Sequence, residues 1–162
     1  MIVVSDTSSL CSLALINHLS LLPQLYQTVI IPPVVADELA IAPDSKITNI
    51  LPQPWIKIQP LQNSHLAEEL QRSRGLDPGE SYAIALAVEL KADSLLIDER
   101  LGRLEAKKLG IPIIGILGIL ILAKQRHLIG EVKPVMNRLI RDASFRVSSQ
   151  LYQQILALAK EE

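Results

Sequence analysis

Ile2-Val3-Val4-Ser5-Asp6-Thr7-Ser8-Ser9-Leu10 is the stretch on which the fold turns. Ile2 to Val4 reads as a short buried strand, and Thr7-Ser8-Ser9 supplies N-cap chemistry for an apolar helix over Leu10 to Ile16. A strand that enters a helix through polar residues begins a βα unit, and βα units in series build a parallel sheet covered by helices.

The same grammar recurs downstream. Thr28 to Ile31 is a second strand, and Pro32-Pro33 opens a helix that runs through Glu38 and Leu39. Residues 41 to 62 are irregular, punctuated by Pro43, Pro52, Pro54 and Pro60, with Trp55 to Ile58 as a short edge strand. His65 to Arg74 forms an amphipathic helix closed by Gly75. The next helix starts with Asp77 as N-cap, Pro78 at the first position and Glu80 at the third. Ala92 to Ile97 gives a strand, Glu99 to Leu109 a basic amphipathic helix, and Ile111 to Ile114 a further strand. Helices follow at Gly118 to Gln125, Val132 to Arg141, and from Ser148 or Ser149 to Lys160. The expectation is one domain over residues 1–162, a three-layer α/β/α fold with a central, mainly parallel sheet. Its C-terminal helix, about 148–160, packs on the domain or on a partner.

Composition agrees with that architecture. Apolar residues make up 49 % of the chain and aromatics only 3 %, so the core is built from Leu, Ile, Val and Ala, the residues of helices packed on a parallel sheet. The single cysteine, Cys11, has no partner for a disulfide and lies in an apolar helical stretch, which implies a reducing, cytoplasmic setting. Asp6 and the lack of a basic leader read against a signal peptide, and Ile111 to Ala123 is too short to span a bilayer, so no membrane role is expected. The formal charge of −1 gives no global footprint for nucleic acid. The basic residues nevertheless crowd the second half, from Arg100 and Arg103 to Arg146, where they form either solvated helix faces or a basic surface beside an acidic site.

Four acids interrupt the apolar pattern: Asp6, Glu38, Glu80 and Asp98. Each has a plain structural alternative. Asp6 and Asp98 are able to cap the helices they precede, Glu80 to return a capping-box bond to Asp77, and Glu38 to face solvent beside Asp37. Their joint placement carries more weight, because ligands of doubly wound sheets bind beyond the carboxyl ends of the strands. Two acids at strand ends and two in helices entering the same rim repel one another unless a cation lies between them. A carboxylate set without Cys or His suits Mg²⁺ or Mn²⁺ and phosphodiester hydrolysis, and argues against zinc. Thr7 or Ser8 offers an accompanying hydroxyl, and Arg100 a phosphate clamp, with helix capping and a salt bridge to Glu99 as the respective alternatives. His18, His65 and His127 lack ligand spacing. Glycine-rich phosphate loops are absent. A phosphoacceptor receiver domain is disfavoured, since no lysine ends the strand at Ile111 to Gly115 and no acid pair follows the first strand.

The strand with DTSSL, IIPPVVADEL, LDPGESYAIALA, LLIDERLGRLEAKKLGI and IIGILGILILAKQRHLI together resemble the PIN-domain superfamily, and more closely its small prokaryotic branch related to VapC-type toxin ribonucleases. The resemblance runs from Ile2 to about Ser149. It implies a Mg²⁺- or Mn²⁺-dependent endoribonuclease, with Asp6 and Asp98 as direct ligands and Glu38 and Glu80 completing the cluster. Family members more often carry Asp where Glu80 stands. Thr7 or Ser8 matches the accompanying hydroxyl, and Arg100 or Arg103 would hold the RNA backbone. RNA, an antitoxin protein and a second copy in a homodimer are the partners so implied. The alternative is a catalytically silent PIN-like module that binds nucleic acid or protein.

Overall fold

A computed structural model describes the whole chain, Met1–Glu162. Its elements run β1 (Val3–Ser5), α1 (Thr7–Leu15), α2 (Leu21–Tyr26), β2 (Val29–Ile31), α3 (Pro33–Ala40), α4 (Ser45–Thr48), β3 (Ile56–Ile58), α5 (His65–Arg74), α6 (Pro78–Leu90), β4 (Ser94–Leu96), α7 (Arg100–Lys108), β5 (Ile113–Ile114), α8 (Ile116–Gln125), α9 (Val132–Asp142) and α10 (Ser149–Leu158). All five strands are parallel, in the order β3-β2-β1-β4-β5. The sheet is therefore doubly wound, and the chain reverses its direction of travel between β1 and β4. This is the three-layer α/β/α fold that the strand and helix grammar implies.

Strand residues alternate between two cores, as the period of two requires. Val29, Ile31 and Leu96 face one that contains residues of α1, α2, α3, α8, α9 and α10, whereas Val4, Ile30, Leu95 and Ile97 face the other, against α5, α6 and α7. Burial on both faces explains why these strands read as unbroken apolar runs. The edge strand β3 is flanked by Pro54 and Pro60, which cannot donate to a further strand. No helix is long and apolar enough to cross a membrane.

The C-terminus is tied back to the body. Ile155 and Leu156 of α10 are buried in the larger core. Glu161 accepts the Val132 and Lys133 backbone N–H groups at 2.7 and 2.9 Å, capping α9, and pairs with Lys124 Nζ at 2.9 Å. Burial raises the pKa of Glu161, but these donors and the lysine outweigh it and hold the carboxyl below its usual range. Glu161→Ala leaves two helix-terminal donors without their acceptor and is expected to cost roughly 1–3 kcal/mol, measured as a lower urea midpoint with an unchanged m-value.

Candidate functional site

The first turn of α1 builds the floor of the site. Asp6 leaves β1 in extended backbone and caps α1, accepting Ser9 N–H at 3.1 Å and the Ser8 hydroxyl at 3.2 Å. Parallel pairing of Ser5 with Leu96 sets the ends of β1 and β4 level, so Asp6 and Asp98 emerge side by side at the switch point. Ser9 joins them: its backbone N–H bonds Asp6 and its hydroxyl donates to Asp98 at 3.1 Å. Of the two hydroxyls that the sequence offers beside Asp6, Ser8 does donate to it, and Ser9 adds a link from Asp6 to Asp98 that the sequence does not announce. Thr7 instead donates to Glu38 at 2.6 Å.

Asp98 does not cap the helix that follows it. Glu99 occupies that position, and Asp98 reaches across to the start of α8, where Ile116 N–H points at its two oxygens from 3.1 and 3.3 Å. Arg103 anchors the same strand end by donating to Ile97 O at 2.9 Å, and its positive charge favours the Asp98 anion. Gly115 makes this close approach feasible. A Cβ there would lie 2.7 Å from Asp98 Oδ1 and 2.8 Å from Arg103 Nη1. Gly115→Ala is therefore expected to push the carboxylate aside, so that any activity depending on Asp98 falls by about tenfold to a hundredfold while the thermal midpoint barely moves.

Glu80 resolves one of the open alternatives. Asp77 accepts the Glu80 backbone N–H at 2.8 Å, as a cap should, but the Glu80 carboxylate returns no bond to Asp77. Only half of the capping box exists, and the side chain, 7 % exposed, makes neither a hydrogen bond nor an ion pair within the protein. Glu38 sits at the same rim, and Gly79 in the first turn of α6 leaves room for its carboxylate and the Thr7 hydroxyl.

The electrostatics are those of carboxyl groups buried close together. Asp6 is 1 % exposed. Burial, aided by the charges of Asp98 and Glu80, pushes its pKa up to about 7 despite the bonds from Ser9. Burial, with Asp77, Glu99 and Glu38 nearby, raises Glu80 to about 7. Burial likewise raises Asp98, against the opposing effects of Ile116, Ser9 and Arg103. Cys11 is pushed up to about 11 by burial and by Asp6 and Glu38, so its thiol is no nucleophile near neutral pH.

The four acids nonetheless do not form a closed cage, since no three His, Cys, Asp or Glu side chains approach closely enough to share an ion as they stand. Part of the reason is visible: Glu38 is turned to Thr7, and Asp98 to Ile116 and Ser9. Mg²⁺ needs no such cage, because it is commonly held by one or two carboxylates and keeps several waters. An all-oxygen donor set, two strand-end carboxylates joined through one serine, and the raised Asp6 pKa fit a hard divalent cation.

Asp98 opens onto a cleft of about 620 Å³ lined by Ser8, Ser12, Glu99, Arg100 and residues 143–146. Arg100 is exposed and makes no ion pair with Glu99 or any other acid. None of the three histidines lines this cleft. The cleft also includes Phe145 and Arg146, delivered by the segment between α9 and α10, which no motif near the acids announces. A family model described as a PIN domain matches residues 2–161, nearly the entire chain. No curated protein matches it.

Proposed function

The chain belongs to the PIN-domain family, a nuclease-type fold, and from that we propose that it is a Mg²⁺- or Mn²⁺-dependent endoribonuclease whose acidic residues are Asp6, Glu38, Glu80 and Asp98. One observation carries the reading: two carboxylates at the ends of adjacent parallel strands share Ser9 at the switch point, with Asp98 opening to a cleft that also holds Arg100 and Arg146.

In this reading Asp6 and Asp98 hold the cation, and Glu38 and Glu80 complete the negative set around it. When bound, the cation neutralises charge on the phosphodiester and makes water a better nucleophile at neutral pH. The protein's own part is mainly positional. The cap at Ser9 fixes the Asp6 carboxylate, and Ile116 N–H together with the Ser9 hydroxyl fixes that of Asp98. Arg100 and Arg146 are available to bind phosphate oxygens in the cleft, where bidentate guanidinium contacts orient the RNA backbone. Arg103 donates through one nitrogen to Ile97 O, which keeps the strand end in place, and its remaining donors border the neighbouring cleft. Glu80, with no protein partner, is the acid freest to turn toward a ligand.

Purified protein is expected to cut RNA once Mg²⁺ or Mn²⁺ is added and to stop when EDTA removes it. The open spacing of the acids favours a second reading, a silent PIN-like module that binds RNA or protein. Calorimetry separates the two: RNA binding with no heat of Mn²⁺ binding up to millimolar metal would support the silent module. As the toxin of a toxin-antitoxin pair, a homodimer of this chain would meet a protein partner that covers the acid-lined cleft.

A further inference from the structure

A second cleft, of about 420 Å³, meets the first at Asp98. It runs between β5, the start of α8 and α10, and its lining sets the apolar Ile113, Ile114, Leu117, Leu151 and Ile155 beside Arg103. Phe145 and Arg146 line both clefts. Phe145 is the only phenylalanine in the chain and the only aromatic residue in either lining.

Phe145 packs partly against the larger core and also lines both clefts. Its backbone N–H donates to Leu139 O at 3.1 Å, folding the segment back over the end of α9, and Ser144 takes the left-handed backbone (φ +52°) that this reversal needs. Phe145 is half-buried. Arg146 beside it is exposed and enters no salt bridge. An acidic centre, arginines without salt bridges on its flank and a lone aromatic side chain among apolar lining residues are complementary to one kind of occupant: an unstacked nucleotide, with its phosphate toward the arginines and its base toward the ring.

We propose that Phe145 is a substrate-positioning residue that stacks a nucleobase of the RNA in the groove between β5 and α10 while Arg146 holds the adjoining phosphate. The proposal rests on the ribonuclease reading and adds to it a place for a base. A base enters the groove only after leaving its own stack, so a strand already unpaired is the better substrate. Stacking on a ring tolerates any base, so the Phe145 contact itself gives little sequence preference.

The experiment compares kcat/KM for a single-stranded oligoribonucleotide and the same strand annealed to its complement, using wild type, Phe145→Leu and Phe145→Tyr in Mn²⁺. Leucine retains the apolar packing and removes the π face; tyrosine retains both. Wild type is expected to prefer the single strand. Phe145→Leu is expected to lose on the order of tenfold to a hundredfold in kcat/KM, mostly through KM, with an unchanged melting temperature, and Phe145→Tyr to stay within about twofold of wild type. Phe145→Leu cleaving the single strand as well as wild type, Phe145→Tyr falling as far as Phe145→Leu, or an active wild type that prefers the duplex would each overturn the stacking role alone. A wild type that neither binds nor cuts RNA would overturn the ribonuclease reading together with it.

Discussion

Asp98→Asn is expected to reduce metal-dependent RNA cleavage by about a thousandfold or more while leaving the fold intact. A divalent cation contributes several kcal/mol to stabilising charge in phosphoryl chemistry, and each 1.36 kcal/mol is about tenfold in rate. Losing one of its anionic ligands forfeits much of that. The fold survives because asparagine keeps a carbonyl oxygen at Oδ1, where Ile116 N–H is accepted, and offers its amide to the Ser9 hydroxyl, which is able to accept as well as donate. Asp6→Asn is the companion variant. Asparagine caps helices about as well as aspartate, so the Ser9 N–H keeps its acceptor. Cleavage should fall as steeply, yet metal-free Asp6→Asn should unfold later than wild type at pH 8, because a buried anion has been replaced by a neutral isostere. Equal cleavage by wild type and Asp98→Asn, in protein freed of contaminating nuclease, would refute the assignment. Loss of activity together with early unfolding in both variants would point to a structural role instead.

What was legible in the sequence was whatever local chemistry determines. His65–Arg74 and Pro78–Leu90 fall where the amphipathic pattern, Gly75 and the Asp77-Pro78 start place them, since caps and prolines act within a turn of themselves. The acids at the ends of β1 and β4 were visible for the same reason: a polar residue that ends an apolar run stands out. Residues 17–27 show the opposite case. The helix α2 (Leu21–Tyr26) leaves no clear local pattern because it is short, carries Pro23 within its first turn, and follows a reversal at Asn17 with φ +60°. Ile116 begins α8 two residues before the periodicity suggests, and the partner of its N–H is Asp98, 18 positions upstream.

The connections within the site were hidden by distance along the chain. Ser9 and Asp98 are 89 positions apart, and Thr7 and Glu38 are 31 apart, so nothing local distinguishes Ser9 from Thr7 or Ser8 as the bridging hydroxyl. Strand order alone brings β1 beside β4. Phe145 and Arg146 reach the cleft only because the chain folds back after α9, and a run of mixed polarity gives no sign of that. Glu80 was ambiguous instead: Asp77 and Glu80 have the spacing of a capping box, and only the bond from Glu80 N–H to Asp77 forms.

In metal-free buffer the protein should be more stable at pH 5 than at pH 8, and Mn²⁺ should narrow that difference. Asp6 and Glu80 titrate ordinarily at 3.8 and 4.5, and both are raised to about 7 in the folded chain. A raised carboxyl binds its proton more tightly when folded, so its favourable contribution is complete below about pH 4 and is lost as pH rises through 7. For the fully buried Asp6 that loss amounts to a few kcal/mol. Glu161 acts with the opposite sign, but its pKa is lowered, so its effect is spent at more acidic pH than this window. A divalent cation binds the ionised carboxylates and competes with protons, so its stabilisation grows with pH. At a hundredfold excess over its dissociation constant it contributes about 2.7 kcal/mol, or roughly 5–10 °C in melting temperature for a chain of this size. Melting curves in EDTA and in Mn²⁺ at both pH values measure this directly. The acids act as a cation site if the Mn²⁺ shift is large at pH 8, small at pH 5 and absent in Asp6→Asn. A shift of equal size at both pH values would mean that Mn²⁺ binds elsewhere, and a melting temperature in EDTA that rises from pH 5 to pH 8 would mean that these carboxyls are not crowded anions.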